Sequence, residues 1–291
     1  MNKKTGLDEF YASLPFKMTA AQLRCVKEIT DDLSSGVPMN RLLQGDVGSG
    51  KTAVAAAACY FSYKNGYQSA LMAPTEILAV QHYKTLSGFL EPLGIKTVLL
   101  TGSMTAKEKR AVKDELMSGE AGVAVGTHAI IQKDVEFASL GLVITDEQHR
   151  FGVSQRAALA DKGKSPHKLV MSATPIPRTL ALIIYGDLDI SVIDEMPAGR
   201  LPVRTYAVTG KLRKRAFNFV RQQLDSGRQA YIVCPVIEEN ESDMLAVKSY
   251  FEKVRGNDFA DYSVGLLHGK MKAAEKESVM EAVSYTHLRA H

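Results

Sequence analysis

The sequence predicts an α/β fold in which helices cover both faces of a parallel sheet. Apolar, β-branched runs alternate with segments of helical periodicity along the chain, and this alternation is typical of such a sheet. The 291 residues are 45% hydrophobic and 23% charged, the balance of an ordinary globular protein. Because this length exceeds what one hydrophobic core usually organises, we expect two α/β domains.

The elements of the first domain follow from the same pattern. Predicted strands cover residues 41–44, 69–73, 97–101, 122–126, 142–145 and 168–172. Predicted helices cover 19–33, 52–64, 77–90, 106–117 and 154–162. Thr19 and Thr105 stand where helix N-caps are expected, and Gly36 and Gly119 follow helix ends as stop signals.

Two prolines and a glycine interrupt the rhythm at residues 194–202, where we place an interdomain linker. The predicted organisation is a first domain over 1–195, a partial second domain over 196–283 and a tail, foreign to the fold, over 284–291. In the second domain the pattern predicts strands at 203–208, 229–235 and 263–267, and helices at 211–225 and 244–254.

Composition excludes several classes of protein. No apolar run approaches the roughly 18 residues that span a bilayer, and the N-terminus lacks the apolar segment of a signal peptide, so we expect a cytoplasmic protein. Cys25, Cys59 and Cys234 lie far apart without a C-x-x-C pair, which argues against disulfides and a zinc site. A net charge of +4 is only a weak indication of a polyanionic partner. The basic run 211–215 suits either a nucleic-acid backbone or a solvated helix face.

The most informative string joins a predicted strand to an alanine-rich helix. It reads Gly45-Asp46-Val47-Gly48-Ser49-Gly50-Lys51-Thr52, the phosphate-binding pattern G-x-x-x-x-G-K-T. Glycines let successive N–H groups turn inward, and the following helix directs its positive end at the phosphates. Lys51 would reach the β- and γ-phosphate oxygens and Thr52 would bind Mg²⁺. The chain is therefore predicted to bind a nucleoside triphosphate.

A second acidic motif supports this prediction. The apolar strand 142–145 delivers Asp146 and Glu147 at its carboxyl end, where ligands bind in open α/β sheets. Asp146 is suited to hold Mg²⁺, and Glu147 to orient or deprotonate an attacking water. His149 lies two residues after Glu147, and so close to two acids a functional role is favoured over a structural one.

Other polar residues lie near predicted strand and helix ends. Gln22 offers an amide that can pair with both donor and acceptor on an adenine edge, and Phe16 could pack on the ring. Hydroxyls and helix N-termini suit nucleic-acid phosphates, and they follow two strands at Pro74-Thr75 and Gly126-Thr127-His128. Helix caps at simple turns remain the alternative for these residues.

The run 146–152, D-E-Q-H-R-F-G, resembles motif II of the RecG-type branched-DNA helicases of superfamily 2. Residues 14–22, 73–79, 125–132 and 172–180 resemble the Q motif and motifs Ia, Ib and III of the same family, in the same order. In the second domain, 231–239 and 266–271 resemble motifs IV and IVa. The resemblance covers about residues 14 to 283.

The resemblance implies two RecA-like domains, ATP and Mg²⁺ as cofactors, and branched DNA such as forks and Holliday junctions as the partner, in recombination and repair. It implies that Ser172 and Thr174 hydrogen-bond His149 and couple the γ-phosphate to the DNA surface. A transcription-repair coupling translocase is the alternative within the class. A P-loop protein without nucleic-acid activity is the alternative outside it.

The family pattern also includes elements that this sequence lacks. An N-terminal wedge domain would grip the branch point, and motifs V and VI beyond Met280 would supply arginines to the γ-phosphate. An arginine finger is worth ~10³ to 10⁵ in rate in P-loop enzymes. We therefore expect an incomplete motor core, with a truncated second domain, that hydrolyses ATP weakly or not at all.

Overall fold

The computed structural model describes residues 1, 6–146, 162–163, 165–173, 188–195, 203–234, 241–269 and 271–285. The chain forms two compact units, Met1–Leu201 and Pro202–His291. The predicted boundary at 195 and the foreign tail at 284–291 stay predictions, and most of that tail lies outside the described residues.

Unit 1 contains a seven-stranded parallel sheet with the order β3-β4-β2-β5-β6-β1-β7. The strands are β1 (Asn40–Gly45), β2 (Gln68–Met72), β3 (Thr97–Leu100), β4 (Val123–Gly126), β5 (Leu140–Asp146), β6 (His167–Ser172) and β7 (Asp189–Ile193). The six predicted strands are confirmed. The edge strand β7 has no counterpart among the predicted strands.

Five helices of unit 1 are described: α1 (Asp8–Ser13), α2 (Ala20–Leu33), α3 (Lys51–Lys64), α4 (Glu76–Leu90) and α5 (Ala106–Ser118). Thr19 and Thr105 cap the starts of α2 and α5, as predicted, and the structure shows that each also completes a capping box. Gly119 ends α5 in the left-handed conformation. The short helix α1 was not predicted, and the helix expected at 154–162 lies almost entirely outside the described residues.

The largest buried cluster of unit 1 includes α3. Ten successive residues of this helix, 53–62, are buried. A helix that is apolar on all sides is stable only inside a protein, and its small alanines allow close packing on the sheet. The phosphate-binding loop that precedes α3 is thus anchored to the most buried of the helices that the structure describes in this unit.

Unit 2 contains α6 (Arg213–Asp225), α7 (Glu241–Lys253), continued by one π-helical turn, and α8 (Ala273–Tyr285). Arg213 lies over the Phe217 ring at 4.7 Å and donates to Asp258 at 3.2 Å. The Arg221 Nε donates to the Asp258 carbonyl oxygen at 3.1 Å. Two arginines of α6 thus tie this helix to the turn that follows α7.

The three strands predicted for unit 2 are wrong within the described residues. Residues 203–208, 229–234 and 263–267 form no hydrogen-bonded ladder there. Val203 and Val233 keep 83% and 88% of their surface exposed. A β-branched run predicts a strand only where a neighbouring strand pairs with its backbone, and these segments have no such neighbour among the described residues.

Candidate nucleotide site

The sheet register brings the predicted motifs to one edge. Strands β5, β6 and β1 are adjacent, with Asp146 paired to Met171 and Gln44 paired to Ser172. Because all strands are parallel, their carboxyl ends lie side by side. Asp146, Ser172 and the start of the phosphate-binding loop at Gly45 therefore occupy neighbouring positions at this edge.

The phosphate-binding loop depends on its glycines for both conformation and space. Gly48 and Gly50 have φ values of 77° and 87°, in the left-handed region that favours glycine. A Cβ on Gly50 would lie 2.2 Å from the Gln22 Nε2, and one on Gly45 would lie 2.5 Å from the Ser49 Oγ. A larger residue at either position would therefore displace one of these side chains, and at Gly50 it would also strain the backbone.

Gln22 supports this loop from α2. Its Oε1 accepts the Thr19 N–H at 2.9 Å within the capping box, and its Nε2 donates to the Ser49 carbonyl oxygen at 2.8 Å. The side chain is buried, with 2% of its surface exposed. These bonds use one of its two amide protons and one oxygen lone pair, which leaves one of each for an adenine edge. Adenine recognition by Gln22 stays a prediction.

Lys51 lies at the first position of α3. Its ammonium donates to the carbonyl oxygens of Gly45 and Asp46 at 2.6 and 3.0 Å, so it folds back over the loop. Gly50 caps α3 through its carbonyl oxygen, which accepts the N–H groups of Ala53 and Val54, and as a glycine it has no side chain to cap the helix. A cation beside the N-terminal end of a helix is a suitable environment for phosphate. The half-buried Thr52 adds a hydroxyl in the same turn.

Asp146 ends β5 with a largely buried side chain, 12% exposed. Its Oδ2 is 2.7 Å from the Nε2 of His82 on α4. His82 was not among the predicted site residues. The feature that could have identified it is its position on α4, because the other buried residues of this helix, Ala79, Leu86 and Leu90, are apolar.

The donors are suited to Mg²⁺ in number and kind. The described residues contain no group of three or more His, Cys, Asp or Glu side chains that could hold a metal ion. Mg²⁺ usually takes one or two protein oxygens and completes its shell with water and phosphate oxygens. Thr52 and Asp146 supply that small number, so the residues present fit a metal that arrives with a nucleotide.

Phe16, the predicted adenine-stacking residue, is 43% exposed. Its ring meets Phe89 of α4 edge to face, with centroids 5.9 Å apart. One side of the ring therefore packs on the protein, and the exposed remainder is consistent with the predicted role, which stays a prediction.

The residues predicted to bind nucleic acid differ in exposure. Thr75 is exposed and caps α4, since its Oγ1 accepts the Leu78 N–H at 3.3 Å. Pro74 is half-buried and His128 is exposed. The structure buries Thr127, which is 3% exposed, and its hydroxyl has no hydrogen-bond partner among the described residues.

Gly126 ends β4 and lies against β3. A Cβ there would come within 2.0 Å of the Leu100 carbonyl oxygen. This glycine therefore permits close packing of two strands, and its surroundings supply no direct argument for nucleic-acid contact.

Three predicted site residues, Glu147, His149 and Thr174, lie outside the described residues. Ser172 is buried at the end of β6. Beside it lies a cavity of about 290 Å³ at the carboxyl ends of β1, β6 and β7. The cavity is lined by Gln44, Gly45, Asp46, Ala173, Val192, Ile193, Asp194 and Glu195. It borders the start of the phosphate-binding loop without including Lys51 or Thr52.

None of the described helices has the length and apolar character needed to cross a membrane. Cys25 and Cys59 are buried free thiols, and Cys234 is a half-buried one.

Comparison with known proteins identifies relatives over nearly the whole chain. An ATP-dependent DNA helicase RecG of Bacillus subtilis is 52% identical over 288 residues, which are 97% of this chain and 42% of the relative. The RecG of Aquifex aeolicus is 54% identical over 286 residues, 96% of this chain and 36% of the relative. The chain thus spans about two fifths of the length of these curated relatives.

Comparison with solved structures identifies similar proteins. A RecG bound to a three-way DNA junction matches 94% of this chain and 36% of its own, with a TM-score of 0.76 and 47% identity. The DNA-bound helicase MrfA has a TM-score of 0.67 at 14% identity, which is evidence for the shared RecA-like fold alone. The DEAD/DEAH box helicase family matches residues 19–183. The chain therefore belongs to the DEAD/DEAH box helicase family, as a RecG-type member.

Proposed function

We propose that this chain forms the ATP-dependent motor core of a DNA helicase or translocase that acts on branched DNA in recombination and repair. One observation carries the proposal most directly. The parallel sheet brings the glycine-rich loop that leads to Lys51, after β1, to the same edge as the carboxylate of Asp146, at the end of β5, with only β6 between these two strands. This is the pair of motifs that phosphoryl-transfer enzymes use to hold a nucleotide and its metal.

Within this site each described residue has a separate task. Lys51 would exchange its two loop carbonyls for phosphate oxygens, and the first-turn N–H groups of α3 would bind the same phosphates. Thr52 and Asp146 would hold Mg²⁺. When bound, the metal would neutralise charge on the β- and γ-phosphates. Gln22 and Phe16 would select and stack the adenine.

The remaining assignments rest on the family resemblance. Glu147 would activate water, and His149 with Ser172 and Thr174 would relay the state of the nucleotide to the DNA surface. Pro74, Thr75, Gly126 and His128 would line that surface. Thr127 is buried, so we propose for it a supporting position behind the surface rather than direct contact. A cytoplasmic location and Mg²⁺ as the resident metal are part of the same proposal.

A nucleotide-binding module without nucleic-acid activity is the competing function. A binding measurement separates the two, because nucleotide and DNA must affect each other's affinity equally if they are coupled. The chain would be titrated with a fluorescent three-way DNA junction, with and without a non-hydrolysable ATP analogue. We expect a change in DNA affinity on addition of the analogue in the unaltered chain, and none in Lys51→Ala.

Lys64→Ala is the matched control, since Lys64 ends the same helix and pairs with Glu9 at 3.0 Å, away from the loop. It should behave like the unaltered chain. DNA-independent nucleotide binding that needs Lys51 would favour the competing function. Nucleotide binding that survives Lys51→Ala would contradict the phosphate site itself.

A further inference from the structure

His82 lies on the buried stripe of α4 among apolar residues. Ala79, His82, Leu86 and Leu90 recur at helical spacing and are the buried residues of this helix. Only 11% of the His82 side chain is exposed. A polar ring buried in an apolar stripe costs free energy unless it is hydrogen-bonded, so its partner is informative.

That partner is the carboxylate of Asp146. The Nε2 to Oδ2 distance of 2.7 Å is in the range of charge-assisted hydrogen bonds. A carboxylate only accepts, so the Nε2–H is the donor. The bond engages one carboxylate oxygen, and it holds the side chain of Asp146 in one orientation at the end of β5.

We propose that His82 is a positioning residue for the metal ligand Asp146, an inference that rests on the proposed function. His82 fixes the rotamer of the carboxylate and directs the other oxygen, Oδ1, to the metal that accompanies the nucleotide. Partners of this kind orient metal ligands, and their loss typically weakens metal affinity ~10- to 100-fold. His82 also gives α4, whose N-terminus carries Thr75, a direct side-chain link to the metal ligand.

The positioning role of His82 can be tested by measuring metal affinity, which does not require ATP turnover. Mn²⁺ would replace Mg²⁺, and its binding in the presence of a non-hydrolysable ATP analogue would be followed by electron paramagnetic resonance. His82→Leu fills the same space without a donor, and we expect Mn²⁺ binding to weaken at least ~10-fold. His82→Gln restores an N–H donor, and we expect affinity within about threefold of the unaltered chain.

Leu86→Ala is the control for packing, since Leu86 is one turn along the same buried stripe and has no side-chain group that could hydrogen-bond Asp146. It should lower stability and leave Mn²⁺ affinity unchanged. Equal losses in His82→Leu and Leu86→Ala would mean that His82 acts only through packing, and would overturn the proposal. Unchanged affinity in His82→Leu would overturn it as well.

The variants Lys51→Ala and Asp146→Asn distinguish a failure of this inference from a failure of the proposed function. If the unaltered chain binds Mn²⁺ with nucleotide no better than Lys51→Ala and Asp146→Asn do, the proposed nucleotide site fails and the role of His82 falls with it. If those two variants lose affinity and His82→Leu does not, only the positioning role fails.

A measurement on the unaltered chain applies even where His82→Leu does not fold. The Nε2 proton resonance of His82 should shift when Mg²⁺ and the ATP analogue bind. The ring of His167, at the amino end of β6, should not shift. A His82 resonance that stays in place would contradict the proposal.

Discussion

Gly50→Ala should destabilise unit 1 far more than an ordinary glycine-to-alanine change. Alanine at a φ of 87° costs about 1 kcal/mol through backbone strain. Its Cβ would also lie 2.2 Å from the Gln22 Nε2 and would force that buried side chain out of place. Losing the buried bond to the Ser49 carbonyl costs about 1–3 kcal/mol more, for a total of about 2–4 kcal/mol.

Gly36→Ala is the matched control. Gly36 has a φ of 81° with open space around its Cβ position, so it carries the strain without the collision. We expect a loss of about 1 kcal/mol there. Gln22→Ala should remove the collision, so Gly50→Ala in that background should cost no more than Gly36→Ala does.

The assay must report on unit 1 alone, because the chain forms two units. Hydrogen exchange of the β1 and β6 amides in increasing urea, read by mass spectrometry, meets this requirement. Equal losses for Gly50→Ala and Gly36→Ala would refute the close packing of Gln22 on the loop.

Two predictions concern titratable groups away from the site. Burial lowers the pKa of His167, whose Nδ1 accepts the Met39 N–H at 3.0 Å, and the nearby N-terminal amino group lowers it further. As the pH falls, the unfolded chain protonates His167 before the folded chain does. The contribution of His167 to stability should therefore be fully present above about pH 6.5 and be lost below it. His167→Asn, which retains an acceptor, should flatten that fall between pH 5 and 8; an equal fall in both proteins would exclude His167 as its cause. Burial also raises the thiol pKa of Cys25 to about 11 and of Cys59 to about 12, so a thiol reagent at pH 8 should label only Cys234 in the folded chain and all three in denaturant. Rapid labelling of Cys59 without denaturant would contradict its complete burial.

The central sheet of unit 1 was predictable because its strands are buried on both faces and read as continuous apolar runs. The edge strand β7 was missed for a physical reason. Its residues, Asp189-Ile-Ser-Val-Ile193, alternate in burial, and an edge strand needs fewer apolar residues than a central one. The capping boxes at Thr19 and Thr105 were predictable because their hydrogen bonds are local in sequence.

Unit 2 shows the limit of the same reasoning. Its apolar runs have high strand propensity, yet strand formation depends on partners that propensity does not encode. The contacts of the arginines in α6 were not predicted from the sequence either. Arg213 belongs to the basic run 211–215, for which a nucleic-acid backbone and a solvated helix face were both predicted as options. It is exposed in the structure, and its guanidinium also packs on Phe217 and bonds Asp258.

The sequence predicted which residues form the site, but it did not predict the hydrogen bonds between them. The loop and Asp146 were identified by spacing and by their position at strand ends. The bonds of Gln22 to Ser49 and of His82 to Asp146 join residues 27 and 64 positions apart, which no local pattern reveals. Their common signal is a buried polar side chain on a helix, which needs a partner somewhere in the fold.

The nucleotide site is tested most directly by equilibrium binding of a fluorescent ATP analogue to the unaltered chain and to Lys51→Ala, each with and without Mg²⁺. We expect Mg²⁺-dependent binding that Lys51→Ala abolishes and that Lys64→Ala leaves intact. Binding that is independent of both Lys51 and Mg²⁺ would show that the loop at residues 45–52 does not hold the phosphates, and would contradict the nucleotide site on which the proposed function depends.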